Sequence, residues 1–187
     1  EEEALVWIHD YNLWLVPGML RQMRPDLDIA FFHHTAFPPA DIFNIIPWRR
    51  EIVSSLLKCD YIGFHVPRYV QNFVEVARSH TPVEVTETQT TAPRFLTYGC
   101  AMGVDEMVTE LRVADRDVRL GANPVGINVE AIRQILASEE IRQMIVEMRE
   151  DLEGRQCILS VERLDYVKGP LQKLRAFEAL LETHPEL

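Results

Sequence analysis

The sequence predicts an α/β fold in which a mostly parallel sheet is flanked by helices. Short continuous apolar runs at residues 5–8, 28–32 and 60–64 have the composition of strands that are buried on both faces. Segments with helical spacing of apolar residues separate these runs, and strands that alternate with helices favour parallel pairing. The chain has 187 residues, 47% of them hydrophobic, so it can bury a substantial core.

Helices are predicted where apolar residues recur every three or four positions. The clearest case is 66–78, in which Val70, Phe73, Val74 and Ala77 share one face. Aspartate and proline supply start signals, because an Asp side chain caps a helix and Pro fits the first turn. In chain order, the other elements predicted before residue 128 are a helix ending near 24–25, a helix begun by Asp41 and restarted at Pro47, a loop or irregular hairpin over 81–93, and a strand region over 119–120 and 123–127.

Gly154 is the best candidate hinge in the last third of the chain, because it separates a charged helical segment from a new apolar run. The sequence therefore predicts two parts, 1–153 and 154–187. The elements predicted around the hinge are helices near 128–137 and 139–151, a strand at 157–161 and a helix at 170–183.

Charge and cysteine content exclude several classes of function. A net charge of −10 argues against general binding to nucleic acids or to membrane surfaces. Cys59, Cys100 and Cys157 lie far apart and show no zinc-type spacing, which favours a reducing, cytoplasmic compartment. No apolar run reaches the length of a membrane span. Because the first three glutamates lead at once into a buried-type strand, we expect the chain to be a piece of a longer protein.

Residues 160–169, which read SVERLDYVKG, have the chemistry of a phosphate-binding turn. Arg163 and Lys168 lie five positions apart, between an apolar strand and a helix. Helix N-terminal amides carry partial positive charge, a glycine lets the backbone approach a ligand, and Arg can hold two oxygens at once. The segment lacks the Walker pattern. The alternative is a structural role, in which the two cations pair on the surface with Glu162 and Asp165.

Three predicted strands deliver histidines to one edge of the sheet. His9 follows the first strand, His33 and His34 follow the second, and His65 follows the third. Ligand clefts of parallel α/β sheets form beyond the carboxyl ends of the strands, so this convergence indicates a functional site. The four imidazoles could supply metal ligands, but no helical ligand pair or cysteine cluster accompanies them, and we predict no metal site. A serine hydrolase is not indicated either, because the Gly-x-Ser-x-Gly elbow is absent.

Five segments together resemble the trehalose-6-phosphate synthase family of glycosyltransferases. They occur in family order at 6–11 (VWIHDY), 31–38, 57–65, 124–127 (PVGI) and 160–169. The resemblance implies the GT-B fold, which is built from two Rossmann-like domains, here incomplete. By that resemblance the first predicted part is the second half of the N-terminal, acceptor-side domain. The second part is the first strand–helix unit of the C-terminal, nucleotide-sugar domain.

The resemblance also implies an activity, namely transfer of glucose from a nucleotide sugar to a phosphorylated acceptor with retention of anomeric configuration. Arg163 and Lys168 would hold the donor diphosphate and His34 would contact the glucose, which makes these three the candidate catalytic residues. Asp10 and Tyr11 would face the acceptor. No cofactor is implied, since the nucleotide sugar is a substrate, and metal dependence and homo-oligomerisation stay open.

Departures from the usual family pattern point to one branch. Asn12 stands where trehalose-phosphate synthases usually carry a second His, Trp14 follows shortly after, and His33 precedes His34. These features resemble glucosylglycerol-phosphate synthases, which use ADP-glucose and glycerol 3-phosphate to make the precursor of an osmoprotectant. Asn12 and His33 are therefore candidate specificity residues. The alternatives are a trehalose-6-phosphate synthase using UDP-glucose and glucose 6-phosphate, and an inactive regulatory homologue that binds sugar phosphates.

Overall fold

The computed structural model describes residues 4–97 and 99–186. Residues 1–3, on which the expectation of a longer chain partly depends, lie outside the described residues. By its internal contacts the chain divides into two compact units, Glu1–Ile127 and Asn128–Leu187. This division lies about 26 residues before the predicted boundary at 153/154. The predicted boundary separates the two domains of a longer protein, and it stays a prediction.

The first unit contains a six-stranded mixed sheet in the order β1-β2-β3-β6-β5-β4. Strands β1, β2, β3 and β6 pair in parallel, which confirms the predicted parallel core, whereas β5 and β4 are antiparallel. The strands are β1 Leu5–His9, β2 Asp28–Phe32, β3 Tyr61–Phe64, β4 Glu84–Thr90, β5 Glu106–Val113 and β6 Arg116–Ala122.

The antiparallel edge differs from the prediction in two places. Within the segment 81–93, which was predicted as a loop or irregular hairpin, residues 84–90 form strand β4. Its pairing with β5 contains register shifts, so the strand is irregular. The strand region predicted at 119–127 ends early, because β6 stops at Ala122. Asn123 donates its backbone N–H to the Phe64 carbonyl at 2.7 Å. The next residue, Pro124, has no N–H to continue the ladder.

Five helices belong to the first unit in the part of the chain that the structure describes. Helix α4 covers the segment predicted as 66–78, with Pro67 in its first turn. The predicted restart at Pro47 is observed as the start of α3 two residues later. The helices are α1 Val16–Met23, α2 Ala40–Phe43, α3 Arg49–Leu56, α4 Pro67–His80 and α5 Pro93–Thr97.

An aromatic cluster fills the core directly beneath the carboxyl ends of β2 and β3. The Phe37 ring lies 5.2 Å from Phe43, 5.5 Å from Phe64 and 5.5 Å from Phe73, measured between ring centroids. All four rings are buried. Edge-to-face and stacked aromatic contacts add to the free energy of burial, so the loops above the cluster rest on a rigid base.

An ion-pair group fixes the opposite, amino end of β2 and β3. The Asp60 carboxylate accepts hydrogen bonds from Arg21 Nη2 at 2.6 Å, from the Ile29 backbone N–H at 2.7 Å and from Arg116. Because both oxygens have partners and the group is partly shielded, it contributes more to stability than an exposed pair. It holds the strands that carry the polar residues at the other end.

The second unit contains three helices and a short turn, and none of its described residues is buried. The three helices confirm the predicted ones closely. Asn128 Oδ1 caps the first helix by accepting from the Ala131 N–H at 3.0 Å, and Ser138 Oγ caps the second. The elements are α6 Val129–Ala137, α7 Glu139–Leu152, a 3-10 turn Tyr166–Lys168 and α8 Pro170–Thr183.

The strand predicted at 157–161 is wrong: these residues have no regular secondary structure. The apolar side chains that suggested it are exposed, Ile158 by 72%, Leu159 by 79% and Val161 by 85%. A strand needs a neighbour for its backbone groups, and no described strand pairs with this segment. Among the described helices, none is long and apolar enough to cross a membrane.

Candidate functional site

The parallel register brings three histidines together at the carboxyl edge of the sheet, as the sequence predicts. His9 pairs with Phe32 across β1 and β2, and Phe32 pairs with Gly63 across β2 and β3. The residues that follow these positions therefore leave the sheet side by side. His9 Nδ1 lies 2.9 Å from His34 Nε2, and His65 Nε2 lies 2.8 Å from the His34 carbonyl oxygen.

The hydrogen bonds define the tautomer of one ring and constrain another. Since a carbonyl oxygen can only accept, His65 Nε2 carries a proton and donates to the His34 carbonyl. Its Nδ1 accepts from the Val125 N–H at 3.4 Å. In the His9–His34 contact one nitrogen donates and the other accepts. The exposed His34 ring is thus held in place by His9, a residue to which the sequence assigned no role of its own.

A cleft of about 540 Å³ runs along the face of the sheet beside these histidines. Apolar side chains such as Trp7 and Phe32 form its walls, and its polar side chains are those of His9, His34, Tyr61 and Asn123. A mostly apolar cleft with a few fixed polar groups is typical of small-molecule sites. Among the described residues, no three His, Cys, Asp or Glu side chains are grouped so as to hold a metal ion.

Asp10 has a backbone conformation that L-residues rarely adopt, with φ 65° and ψ 169°. Its N–H donates to the Phe32 carbonyl at 2.8 Å, and its own carbonyl accepts from the Leu13 N–H at 3.1 Å. This region is almost restricted to glycine, and holding another residue there costs on the order of 1–3 kcal/mol. Such strain persists where the surrounding structure enforces it, and it is concentrated at functional sites.

The residues after Asp10 form an exposed 3-10 turn, Tyr11–Leu13. Tyr11 is 48% exposed, and Asn12 is exposed as well. Both can therefore reach a ligand at this edge. The structure thus brings Asp10, Tyr11, Asn12 and His34 to the same end of the sheet, as the sequence predicts.

His33 differs from the other predicted site residues because it is only 1% exposed. Its Nδ1 lies 2.8 Å from the Thr35 carbonyl oxygen, and its ring stacks on Trp14 with centroids 5.7 Å apart. Burial lowers the pKa of His33, although the Thr35 carbonyl and the nearby Asp10 carboxylate act in the opposite direction. His33 is therefore a neutral interior residue that can affect a ligand only through its neighbours.

Arg163 and Lys168 lie in the second unit, Arg163 three residues before the 3-10 turn Tyr166–Lys168 and Lys168 as its last residue. The Asp165 carboxylate accepts from the Val167 N–H at 3.1 Å, and Gly169 follows with φ 61°. That left-handed conformation allows α8 to begin immediately after the turn, and it favours glycine because a Cβ would add strain.

Both cations of this turn are exposed, and neither forms an ion pair with any described residue. Glu162 instead pairs with Lys173, whose ammonium group also lies 3.4 Å from Ser160 Oγ. The structural alternative, in which Arg163 and Lys168 pair with Glu162 and Asp165, is therefore not observed. Both cations are available to an anionic ligand.

Comparison with known proteins identifies the family of this chain. The sequence matches the model of glycosyltransferase family 20 over residues 1–187. A glucosylglycerol-phosphate synthase of Pseudomonas anguilliseptica is 59% identical over 186 residues, which is 100% of this chain and 25% of that protein. The Synechocystis sp. glucosylglycerol-phosphate synthase is 52% identical over 187 residues, covering 100% of this chain and 38% of the relative. A trehalose-6-phosphate synthase of Mycobacterium sp. is 39% identical, covering 96% and 35%.

Solved structures resemble the whole chain. The E. coli trehalose-6-phosphate protein bound with UDP-2-fluoro glucose has a TM-score of 0.71 at 27% identity, and the match covers 100% of this chain and 37% of that structure. A UDP-forming trehalose-phosphate synthase from Burkholderia xenovorans gives 0.65 at 27% identity, with the same coverage. These matches confirm the predicted GT-B class.

The chain spans between about a quarter and two fifths of the length of the curated relatives it matches. Its described elements, the site at the sheet edge and the match over its full length lead to one conclusion. The chain belongs to glycosyltransferase family 20.

Proposed function

We propose that the complete protein is a retaining glucosyltransferase that moves glucose from ADP-glucose to glycerol 3-phosphate. The observation that carries this proposal is the group at the carboxyl edge of the sheet, where a strained Asp10 lies beside the His9–His34 pair. Identity of 59% and 52% to glucosylglycerol-phosphate synthases, against 39% to a trehalose-6-phosphate synthase, supports this choice of branch. The product would be the phosphorylated precursor of an osmoprotectant.

Arg163 and Lys168 are assigned to the donor diphosphate. Negative charge develops on the departing nucleotide as the bond to glucose breaks, and positioned cations lower the barrier where that charge appears. The two side chains have no acidic partner among the described residues, so they need not give one up to bind the phosphates. The amino terminus of α8, which begins one residue after Gly169, adds a partial positive charge.

His34 is assigned to the transferred glucose. Its ring is exposed and stands at the end of the cleft, where a sugar hydroxyl can meet it. The contact to His9 occupies Nε2, so a sugar either replaces His9 at that nitrogen or binds the face that remains open. His9 thereby fixes the direction in which His34 points.

Asp10 and Tyr11 are assigned to the acceptor, with Asn12 and His33 as residues that set its identity. A carboxylate accepts hydrogen bonds from hydroxyl groups, and both candidate acceptors carry at least two of these groups. Asn12 is exposed on the turn next to Asp10 and can contact the acceptor directly. His33 is buried and can influence acceptor binding only through the residues that pack on it. We expect no nucleic-acid or membrane partner, a cytoplasmic location and no resident cofactor; metal dependence and homo-oligomerisation stay open.

Two other functions remain as alternatives. A trehalose-6-phosphate synthase is supported by similarity to the UDP-forming trehalose-phosphate synthase from Burkholderia xenovorans. A regulatory homologue without activity would keep the fold and bind sugar phosphates. The joint presence of Asp10, His34, Arg163 and Lys168 argues against the second alternative, because a homologue that only binds sugar phosphates does not need the whole set of candidate catalytic and acceptor residues.

The test is an assay of the complete reading frame with two donors and two acceptors. ADP-glucose or UDP-glucose is combined with glycerol 3-phosphate or glucose 6-phosphate, and acceptor-dependent release of nucleotide is measured. We expect the highest kcat/KM with ADP-glucose and glycerol 3-phosphate. Higher turnover with UDP-glucose and glucose 6-phosphate would show a trehalose-phosphate synthase, and absence of turnover in all four combinations would favour the regulatory homologue.

The isolated 187-residue chain is expected to be inactive and only marginally stable. Trp7 is 62% exposed and Leu5 67% on the edge strand β1, and no described residue of the second unit is buried. Exposed apolar surface and an unpaired strand edge favour association and lower cooperativity. Calorimetry and the four-way assay on the chain check this. A cooperative thermal transition together with turnover would contradict it.

A further inference from the structure

The proposed function assigns no role to Trp14. It lies beside the predicted acceptor residues, directly after the turn Tyr11–Leu13. We infer that Trp14 and His33 form a positioning pair that holds Asp10 for the acceptor and so determines acceptor preference. This inference rests on the proposed function and adds a specificity-determining residue to it.

The strained conformation of Asp10 must be enforced by its surroundings. Two backbone hydrogen bonds, to Phe32 and from Leu13, fix the main chain. The Trp14 ring then closes the inner side of the turn, since it stacks on His33 and meets the Phe43 ring edge-on at 5.9 Å. Trp14 thus connects the acceptor turn to the aromatic core.

The polar atoms of the three side chains complete the argument. Asp10 Oδ1, Trp14 Nε1 and His33 Nε2 are all buried, and none has a hydrogen-bond partner among the described residues. His33 Nδ1 must donate to the Thr35 carbonyl, so in the neutral ring Nε2 bears a lone pair. The three unpartnered atoms are thus one donor, the indole N–H, and two acceptors, the imidazole nitrogen and the carboxylate oxygen.

Buried polar atoms without partners destabilise the folded protein, so this arrangement favours any state that pairs them. A rotation of the Asp10 side chain that places Oδ1 on the indole N–H pairs one donor with one acceptor. The His33 ring, whose Nδ1 is bound to the Thr35 carbonyl, stacks on the indole and keeps it in place for that contact. The carboxylate is then confined to one orientation, and its half-buried position lets it meet the acceptor. Trp14 and His33 act through Asp10 without touching the substrate.

The test compares Trp14→Phe, His33→Leu and their combination in the complete enzyme. Trp14→Phe keeps an aromatic ring over His33 but removes the indole N–H together with the pyrrole ring. We expect it to raise KM for glycerol 3-phosphate about tenfold, leaving kcat and the donor KM unchanged, and to reduce discrimination against glucose 6-phosphate. Because the two side chains are in contact, the double variant should show less than the product of the two single effects.

Trp48→Phe is the matched control, since Trp48 is 66% exposed, precedes the first residue of α3 and makes no ring contact with another described residue. It should leave both KM values unchanged. An acceptor KM within twofold of wild type for Trp14→Phe would overturn the inference. So would equal rises in donor and acceptor KM with a lower thermal midpoint, which a general packing role produces. Failure of the proposed function is distinguishable, because the wild-type enzyme itself would then not use glycerol 3-phosphate.

Discussion

Replacing Lys168 by Ala in the complete protein is expected to lower kcat/KM for the nucleotide sugar by about a thousandfold, in line with the loss of a preorganised charge at a developing anion. The exposed ammonium group has no acidic partner among the described residues, so its loss removes attraction to the donor without freeing an interior anion. Arg163→Ala is expected to behave similarly. Arg163→Lys should recover only part of the activity, because an ammonium group cannot replace a bidentate guanidinium.

Lys173→Ala provides the control for this prediction. Lys173 is a cation of the same unit, but it is paired with Glu162. Steady-state kinetics should show little change for Lys173→Ala and a large loss for Lys168→Ala at equal protein concentration. A loss below tenfold for both Lys168→Ala and Arg163→Ala would contradict the assignment of this turn to the diphosphate.

Replacing Asp10 by Gly is expected to raise the free energy of unfolding while it lowers acceptor use. Glycine adopts the observed φ of 65° without strain, so the substitution recovers part of the roughly 1–3 kcal/mol held in this backbone. It also increases the conformational entropy of the unfolded chain, which offsets about 0.5–1 kcal/mol. The expected net gain is about 1 kcal/mol by urea denaturation. The kcat/KM for the acceptor should fall at least about a hundredfold, because the carboxylate is lost.

Asp10→Asn separates the two effects. It keeps the side-chain shape and the strained backbone but removes the negative charge, so activity should fall without a gain in stability. If Asp10→Gly destabilises the protein, the conformation of Asp10 is not a source of strain. If Asp10→Gly retains full activity, this carboxylate does not serve the acceptor.

Much of the sheet edge could be predicted from the sequence because its signals are local. The apolar runs of β1, β2 and β3 stand out as continuous hydrophobic segments. Strands β2 and β3 are largely buried, as predicted, whereas Leu5 and Trp7 are exposed on the edge strand β1, so burial on both faces was wrong for that strand. A parallel arrangement places their carboxyl ends together, and the polar residues that follow must then meet. The approach of His34 to His9 and His65 follows from that topology.

Other features depend on contacts that no local pattern encodes. Strand β5 was not predicted because Leu111 is its only fully buried residue, so its sequence lacks a hydrophobic pattern. The opposite error occurred at 157–161, where an apolar run suggested a strand but no described neighbour pairs with it. In both places tertiary contacts outweigh local propensity.

The inner half of the site was only partly predictable. Trp14 and His33 could be recognised as departures from the family pattern. The sequence could not show that their rings stack on each other. The strain at Asp10 was equally hidden, since nothing in its identity indicates a positive φ. These features belong to the packing of one turn against the aromatic core, which is set by residues distant in sequence such as Phe43.

The most direct test of the central claim is a competition between the two acceptors in one vessel. The complete protein is given ADP-glucose with equal concentrations of glycerol 3-phosphate and glucose 6-phosphate, and the two products are quantified by mass spectrometry at low conversion. Their ratio equals the ratio of the two kcat/KM values. We predict a large excess of glucosylglycerol phosphate. A larger amount of trehalose 6-phosphate would contradict the account and would identify the turn at Asn12 and the buried His33 as features of a trehalose-phosphate synthase.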